Sequence, residues 1–166
     1  MTKIETATFG GGCFWGTEEL FRQIKGVKET SVGYMGGDKE KPTYDEVCND
    51  TTGHVEVVQI TYDPSIVGYE KLLSVFWMAH HPTQGNGQGN DIGSQYRPVI
   101  FYHTSEQKKI AEKSKKEEQK RYSQPIATSI EEAGKFWTAE EYHQKYLMKN
   151  PGGYCHINVK EVLNKV

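Results

Sequence analysis

Along the chain the hydrophobic positions switch between a two-residue and a three-to-four-residue period, and each switch marks a predicted element. Residues 3–9 alternate weakly and predict a strand. Residues 13–25 place Leu20, Phe21 and Ile24 at helical spacing, with Gly26 as the stop. Residues 27–34 predict a strand that ends at Gly36-Gly37. The stretch 38–53 is rich in turn formers, and within it Tyr44-Asp45-Glu46-Val47 reads as strand-like. Residues 55–62 form a β-branched strand run closed by Asp63-Pro64. Residues 69–78 predict a helix with Leu72, Val75, Phe76 and Ala79 on one face, and 82–94 form a polar, glycine-rich surface loop. A short strand follows at 99–103. Thr104-Ser105-Glu106-Gln107 has the form of a capping box opening a charged helix to residue 122, whose mixed charges mark a solvated face. Residues 126–130 predict a short strand. Thr138-Ala139-Glu140-Glu141 reads as a second capping box, starting a helix through Tyr142, Tyr146 and Leu147, and an irregular tail is expected after Pro151-Gly152-Gly153.

The resulting order, β-α-β-β-α-β, predicts an α/β (α+β) fold. The expected form is a two-layer sandwich of ferredoxin-like type with appended helices and an irregular C-terminal tail. No repeat, linker or change of composition divides residues 1–166, so a single domain is expected.

Composition narrows the function classes. Hydrophobic content of 36% and charged content of 25% are those of a soluble globular protein, and a formal net charge of −2 gives no electrostatic case for nucleic acid or an anionic membrane. The longest apolar run, 75–79, is far short of a membrane span, and the first five residues carry no apolar signal region. Three cysteines make no disulfide framework, so cytoplasmic location and thiols reduced at rest are expected.

The chemistry centres on Gly10-Gly11-Gly12-Cys13-Phe14-Trp15-Gly16. A cysteine stands where a glycine turn hands over to a helix, whose first N–H groups have no internal partner and carry partial positive charge. A thiol there is expected to be pushed toward thiolate, with Phe14 and Trp15 adding an aromatic surface beside it. Three reaction classes stay open on these residues alone. A cysteine hydrolase or acyltransferase would take its base from His54, His80, His81, His103, His143 or His156. A redox enzyme needs a second cysteine, and both Cys48 and Cys155 are available, the latter in a flexible Gly152-Gly153-Tyr154 context. A zinc site lacks any pair at CxxC or HxxxH spacing, so no metal is expected. A catalytically silent peptide-binding module is the non-enzyme alternative.

Further candidates gather around these cysteines. Glu56 sits in the apolar run Val55-Glu56-Val57-Val58 and shares a strand face with Val58. If that face points inward, its carboxyl loses water, its pKa rises, and it becomes a proton donor near neutral pH. The loop Gln88-Gly89-Asn90-Asp91-Ile92-Gly93-Ser94-Gln95-Tyr96-Arg97 brings an acid, amides and a phenol together, and Tyr44 and Tyr96 are candidate phenol donors.

With these residues set out, the chain closely resembles the A-type peptide methionine sulfoxide reductases from about residue 9 to residue 157. The resemblance rests on Gly12-Cys13-Phe14-Trp15-Gly16 and four further blocks in register: Tyr44 to Cys48, Thr52 to Glu56, Gln88 to Arg97, and Gly153-Tyr154-Cys155. It implies that Cys13 attacks the sulfoxide sulfur, that Phe14 and Trp15 hold the ε-methyl group, and that Glu56 protonates the oxygen. It further implies that Tyr44 and Tyr96 donate hydrogen bonds to that oxygen, that Asp91 orders the pocket, and that Cys155 resolves the Cys13 sulfenic acid. The implied substrate is the S epimer of methionine sulfoxide, free or in proteins. Thioredoxin is the implied reductant, no metal or organic cofactor is implied, and the role is repair of oxidative damage. No cysteine occurs in 157–166, which implies a two-cysteine cycle. His81, Gly87 and Pro98 depart from the family pattern and bear on loop shape and peptide preference.

Overall fold

One aromatic ring shows how the layers meet. Phe9 points from the central sheet and stacks on Phe21 of one helix and Phe76 of another, at centroid distances of 5.1 and 5.0 Å. Truncating a fully buried phenylalanine of this kind costs about 3–5 kcal/mol. The computed structural model describes residues 3–166, so Met1 and Thr2, and with them the start of the stretch expected to lack a signal, lie outside it. In chain order, β1 (Glu5–Gly10), α1 (Phe14–Phe21), β2 (Val27–Met35), α2 (Tyr44–Cys48), β3 (Val55–Tyr62) and α3 (Tyr69–Ala79) form the first half. The second half holds β4 (Gly87–Gln88), β5 (Asp91–Ile92), β6 (Val99–Tyr102), α4 (Ser105–Gln119), β7 (Ser129–Glu132), β8 (Trp137–Thr138), α5 (Tyr146–Lys149) and α6 (Val159–Asn164). Short 3-10 turns at Ser94–Tyr96 and Glu141–His143 complete it.

The fold is mixed α/β with a central, mostly antiparallel sheet. Its strands run in the order β7-β6-β1-β3-β2-β8, among the described residues only the β6–β7 pair is parallel, and β4 and β5 make a separate hairpin. Ala7, Phe9, Val32, Tyr34, Val58, Ile60, Tyr62 and Ile100 project into the main core with the apolar faces of α1 and α3. The opposite sheet face is also apolar: Met35, Val55, Val57, Val99 and Phe101 are buried there with Phe136 and Ala133 against them. Both faces are therefore covered, and this is why the strands alternate so weakly in sequence. Among the described residues no helix is long and apolar enough to cross a membrane.

Six local expectations are corrected. The first helix stops at Phe21 rather than residue 25, although Ile24 stays buried in the turn that follows. The segment 44–47 is helical, because Thr43 and Glu46 form a reciprocal capping box in which the Glu46 N–H donates to Thr43 Oγ1 and the Thr43 N–H donates to Glu46 Oε1. The expected box at 138–141 does not open a helix. Thr138 pairs with Gly33 in the sheet, and the Glu140 carboxylate accepts instead from the Tyr34 hydroxyl at 2.9 Å and the Tyr44 N–H at 3.0 Å. The tail is not irregular throughout: Asn158 caps α6 by accepting from the Glu161 N–H. The strand expected at 126–130 lies at Ser129–Glu132, and the charged helix ends at Gln119.

Candidate active site

The connection from β1 to α1 places Cys13 as the N-cap of α1 with an extended backbone, φ −61° and ψ 127°. Gly12 before it has φ +87°, a left-handed conformation that glycine adopts without strain. Cys13 is buried, 7% exposed. Here the expected thiolate is corrected. Burial pushes the Cys13 thiol well above the ordinary cysteine range, the Glu56 carboxyl beside it adds to the rise, and the Trp15 N–H at the helix start lowers it only in part. In a site without ligand the sulfur is a neutral thiol.

Glu56 explains much of this. The face of β3 that carries it turns into the main core, and the residue is 1% exposed. The Phe14 N–H, one of the orphan donors of α1, donates to Glu56 Oε1 at 3.3 Å, while Oε2 is buried with no partner. Loss of water raises the Glu56 pKa to about 8, with the carboxylate of Asp91 adding to the rise and the Phe14 N–H opposing it. At neutral pH the carboxyl is thus largely protonated, and it holds its proton beside the sulfur. Cys13 and Glu56 are brought together because the β1–α1 turn sits over the start of β3.

The remaining sequence-predicted residues surround this pair. Phe14 is fully buried, with its ring 5.8 Å from Tyr34 and 6.5 Å from Tyr44. The Trp15 ring lies parallel to Tyr146 at 3.8 Å and its indole N–H donates to His143 Nδ1 at 3.0 Å. Tyr44 begins α2, and its phenol is raised in pKa first by burial and then by the nearby Glu56. Tyr96 ends the 3-10 turn after β5. Its carbonyl accepts the Gly12 N–H at 3.2 Å, and burial, Glu56 and Cys13 together raise its phenol. Both phenols therefore stay protonated donors. Asp91 opens β5; its Oδ1 accepts from the Tyr154 hydroxyl at 3.0 Å and its Oδ2 is buried without a partner.

The three thiols are all free. Cys155 lies in the tail that crosses α1. Its thiol donates to the Ile157 carbonyl at 3.1 Å, and a Cβ on Gly16, in the first turn of α1, would lie 3.0 Å from Sγ. Cys48 ends α2 on the other side, within reach of the Tyr44 phenol and Gln95. Both candidate partners of Cys13 thus border the site, which adjacency in sequence did not indicate for Cys48.

Sequence reasoning assigned no part in this site to Glu140 or to the Tyr154 side chain, and did not single out His143. His143 is buried, with its ring 4.5 Å from that of Tyr44 and Nε2 unpartnered. It was visible only as one histidine of six. Among the described residues no group of three or more His, Cys, Asp or Glu side chains converges to hold a metal ion. Gly87 has φ +151°, and a Cβ there would lie 2.0 Å from the Asp91 carbonyl. The glycine is what lets β4 and β5 close beneath Asp91.

Residues 5–166 match the family model described as peptide methionine sulfoxide reductase. The chain is 59% identical over 154 residues to the peptide methionine sulfoxide reductase MsrA of Methanoculleus marisnigri, covering 92% of this chain and 94% of that one. It is 57% identical to the MsrA of Geobacter sulfurreducens, covering 93% and 96%. Among solved structures, reduced Mxr1 of Saccharomyces cerevisiae superposes with a TM-score of 0.89 at 38% identity, over 95% of this chain and 91% of that one. Mxr1 solved in complex with Trx2 superposes with a TM-score of 0.63 at 27% identity, over 87% and 85%.

Proposed function

Because the chain belongs to the peptide methionine sulfoxide reductase family, we propose the division of labour by which its site performs thiol-dependent reduction of methionine sulfoxide. Cys13 is the nucleophile and Glu56 the acid. The observation that carries this is the placement of a buried, protonated carboxyl against the N–H of the residue that follows the cysteine. A sulfoxide sulfur is a poor electrophile until its oxygen is protonated. Glu56 gives its proton to that oxygen and the Cys13 sulfur bonds to the substrate sulfur, its own proton passing to Glu56. The Cys13–substrate sulfur bond and the S–O bond then both break as the OH moves to Cys13, and the freed electron pair stays on the methionine sulfur. The products are methionine and Cys13 sulfenic acid, so substrate sulfur is reduced by two electrons and Cys13 oxidised by two. Tyr44 and Tyr96 donate hydrogen bonds to the oxygen. Phe14 and Trp15 form the methyl pocket, and Asp91 orders the loop and meets the substrate backbone.

Cys155 then attacks the sulfenic acid, forming the Cys13–Cys155 disulfide and releasing water. Its place against Gly16 in the first turn of α1, the helix that Cys13 caps, supports this. Thioredoxin reduces the disulfide; the complex of the similar Mxr1 with Trx2 supports that partner. The substrate is methionine S-sulfoxide, free or in proteins, because one acid fixed against one aromatic pocket accepts a single configuration at sulfur. The strand order β6-β1-β3-β2, antiparallel throughout, supports the ferredoxin-like form of the two-layer sandwich and a single catalytic domain. Three free thiols suit a reducing compartment such as the cytoplasm.

The test uses the two sulfur epimers of a dabsylated methionine sulfoxide with dithiothreitol, product being separated by chromatography. Turnover of the S epimer alone is expected, with none in Cys13→Ser. Equal rates on both epimers, or turnover by Cys13→Ser, would overturn the assignment.

A further inference from the structure

His156, the residue after Cys155, has an unusual pair of environments. Its Nε2 is 2.9 Å from the Gly11 carbonyl, an acceptor only, so Nε2 carries the proton. Its Nδ1 is therefore the free lone pair of the neutral ring, and that atom is buried with no partner. It stands over the same face of α1 as the Cys155 sulfur. A Cβ on Gly16 would lie 3.2 Å from Nδ1 and 3.0 Å from Sγ, so the two atoms flank one small space beside the first turn of α1. Burial lowers the pKa of His156, which keeps the ring neutral. Asp91 favours its cation and His81 opposes it, and the neighbouring His80 is itself lowered by burial to about 4.

We propose that His156 is the base for the second chemical step, taking the proton from the Cys155 thiol as that sulfur attacks the Cys13 sulfenic acid. The proposal rests on the reading of Cys155 as the resolving cysteine. The Cys155 thiol is raised in pKa by burial, so at neutral pH it is not a thiolate, and the step needs a proton acceptor at hand. The S–H turns from the Ile157 carbonyl to Nδ1, and the proton passes to the ring, leaving an imidazolium whose Nε2–H keeps the Gly11 carbonyl. The Cys155 sulfur bonds to the Cys13 sulfur as the S–OH bond breaks. The departing hydroxide takes the proton from Nδ1 and leaves as water, so the ring ends neutral and one sulfenic acid and one thiol end as one disulfide and one water. Glu56 cannot serve here, because it faces the substrate side of Cys13 at the Phe14 N–H.

The experiment is a single turnover of the full-length enzyme with methionine sulfoxide and no reductant, sampled in time. Methionine reports the first step, trapping by dimedone the sulfenic acid, and mass spectrometry the disulfide. The variant is His156→Gln, whose amide N–H still reaches the Gly11 carbonyl but offers no base. Methionine formation at the wild-type rate shows that the variant is folded. Disulfide formation slower by about 10²-fold at neutral pH, with sulfenic acid accumulating, is expected. The variant's disulfide rate should then climb about tenfold per pH unit toward the wild-type value, which stays flat, because hydroxide replaces the missing base. A wild-type disulfide rate in His156→Gln would overturn the base role and leave Cys155 as resolver. Equal slowing of both steps, unmoved by pH, would overturn it in favour of a purely structural ring. A wild-type bridge between Cys13 and Cys48 would instead refute the reading of Cys155 on which the proposal stands.

Discussion

Glu56→Gln should make this enzyme slower and more stable at once. The wild-type carboxyl has a pKa near 4.3 in an unfolded chain and about 8 in the fold, where burial is the main cause of the rise. The folded state binds this proton more tightly, so no stability is lost below about pH 4. Loss grows as pH rises between the two pKa values and is complete above about pH 8. At ~1.4 kcal/mol per unit, ionisation of Glu56 costs on the order of 3 kcal/mol at pH 7 and 5 kcal/mol above pH 8. Glutamine has the same shape, cannot ionise, and its carbonyl oxygen still accepts the Phe14 N–H, so this cost disappears in the variant. For a domain of this size the melting temperature should rise by about 6–12 °C at pH 7, by more near pH 9, and by little at pH 4. The same change removes the proton donor, and formation of Cys13 sulfenic acid should slow by about 10²–10⁴-fold. Thermal unfolding of the reduced proteins across pH, together with single-turnover methionine release, checks both halves. A stability difference that does not grow with pH, or first-step kinetics within tenfold of wild type, would refute the picture of a buried, protonated Glu56.

Cys155→Ser should release one methionine per enzyme and then stall with thioredoxin as reductant, while dithiothreitol restores turnover by attacking the sulfenic acid directly. Cys48→Ser should turn over with thioredoxin near the wild-type rate, and peptide mapping of the oxidised wild type identifies the bridge. Gly16→Ala places a methyl 3.0 Å from the Cys155 sulfur and 3.2 Å from His156 Nδ1. It should leave methionine release unchanged and slow disulfide formation several-fold, as read by quenched-flow mass spectrometry.

The sheet strands and the two core helices were legible because hydrophobic burial dominates them. Phe9, Leu72 and Phe76 have no other place to go, and their spacing shows it. The two capping boxes show where local rules stop. Thr43 and Glu46 close a box and make a helix from a segment, 44–47, that looked strand-like, since nothing else competes for the Glu46 carboxylate except Lys39. Thr138 to Glu141 has the same local form, yet Glu140 is claimed by Tyr34 and Tyr44, and Thr138 by the strand beside it. Which outcome holds depends on residues about a hundred positions away, and no window along the chain contains them.

The site divides the same way, and the division has a chemical reason. Cys13 and Glu56 stood out as candidates because each breaks a local rule, a thiol set among glycines and a carboxyl set among β-branched residues, although the Glu56 segment alone fits a solvent-facing strand residue equally well. What could not be read is the state those residues adopt. The helix start alone argues for a thiolate. The fold buries the sulfur and puts Glu56 beside it, and desolvation outweighs the few N–H groups that α1 offers. The consequence is a site that holds its protons until substrate enters. A neutral thiol is a poor target for chance oxidation, and a neutral carboxyl is the form able to donate. Both groups are raised by the same exclusion of water, so opening the pocket to solvent should lower both pKa values together. A Trp15→Ala variant makes that opening, since Trp15 is packed between Tyr146 and His143. Its Cys13 should then react faster with iodoacetamide at neutral pH than the wild type does, while methionine release slows. A slower alkylation in the variant would contradict a shared origin for the two shifts.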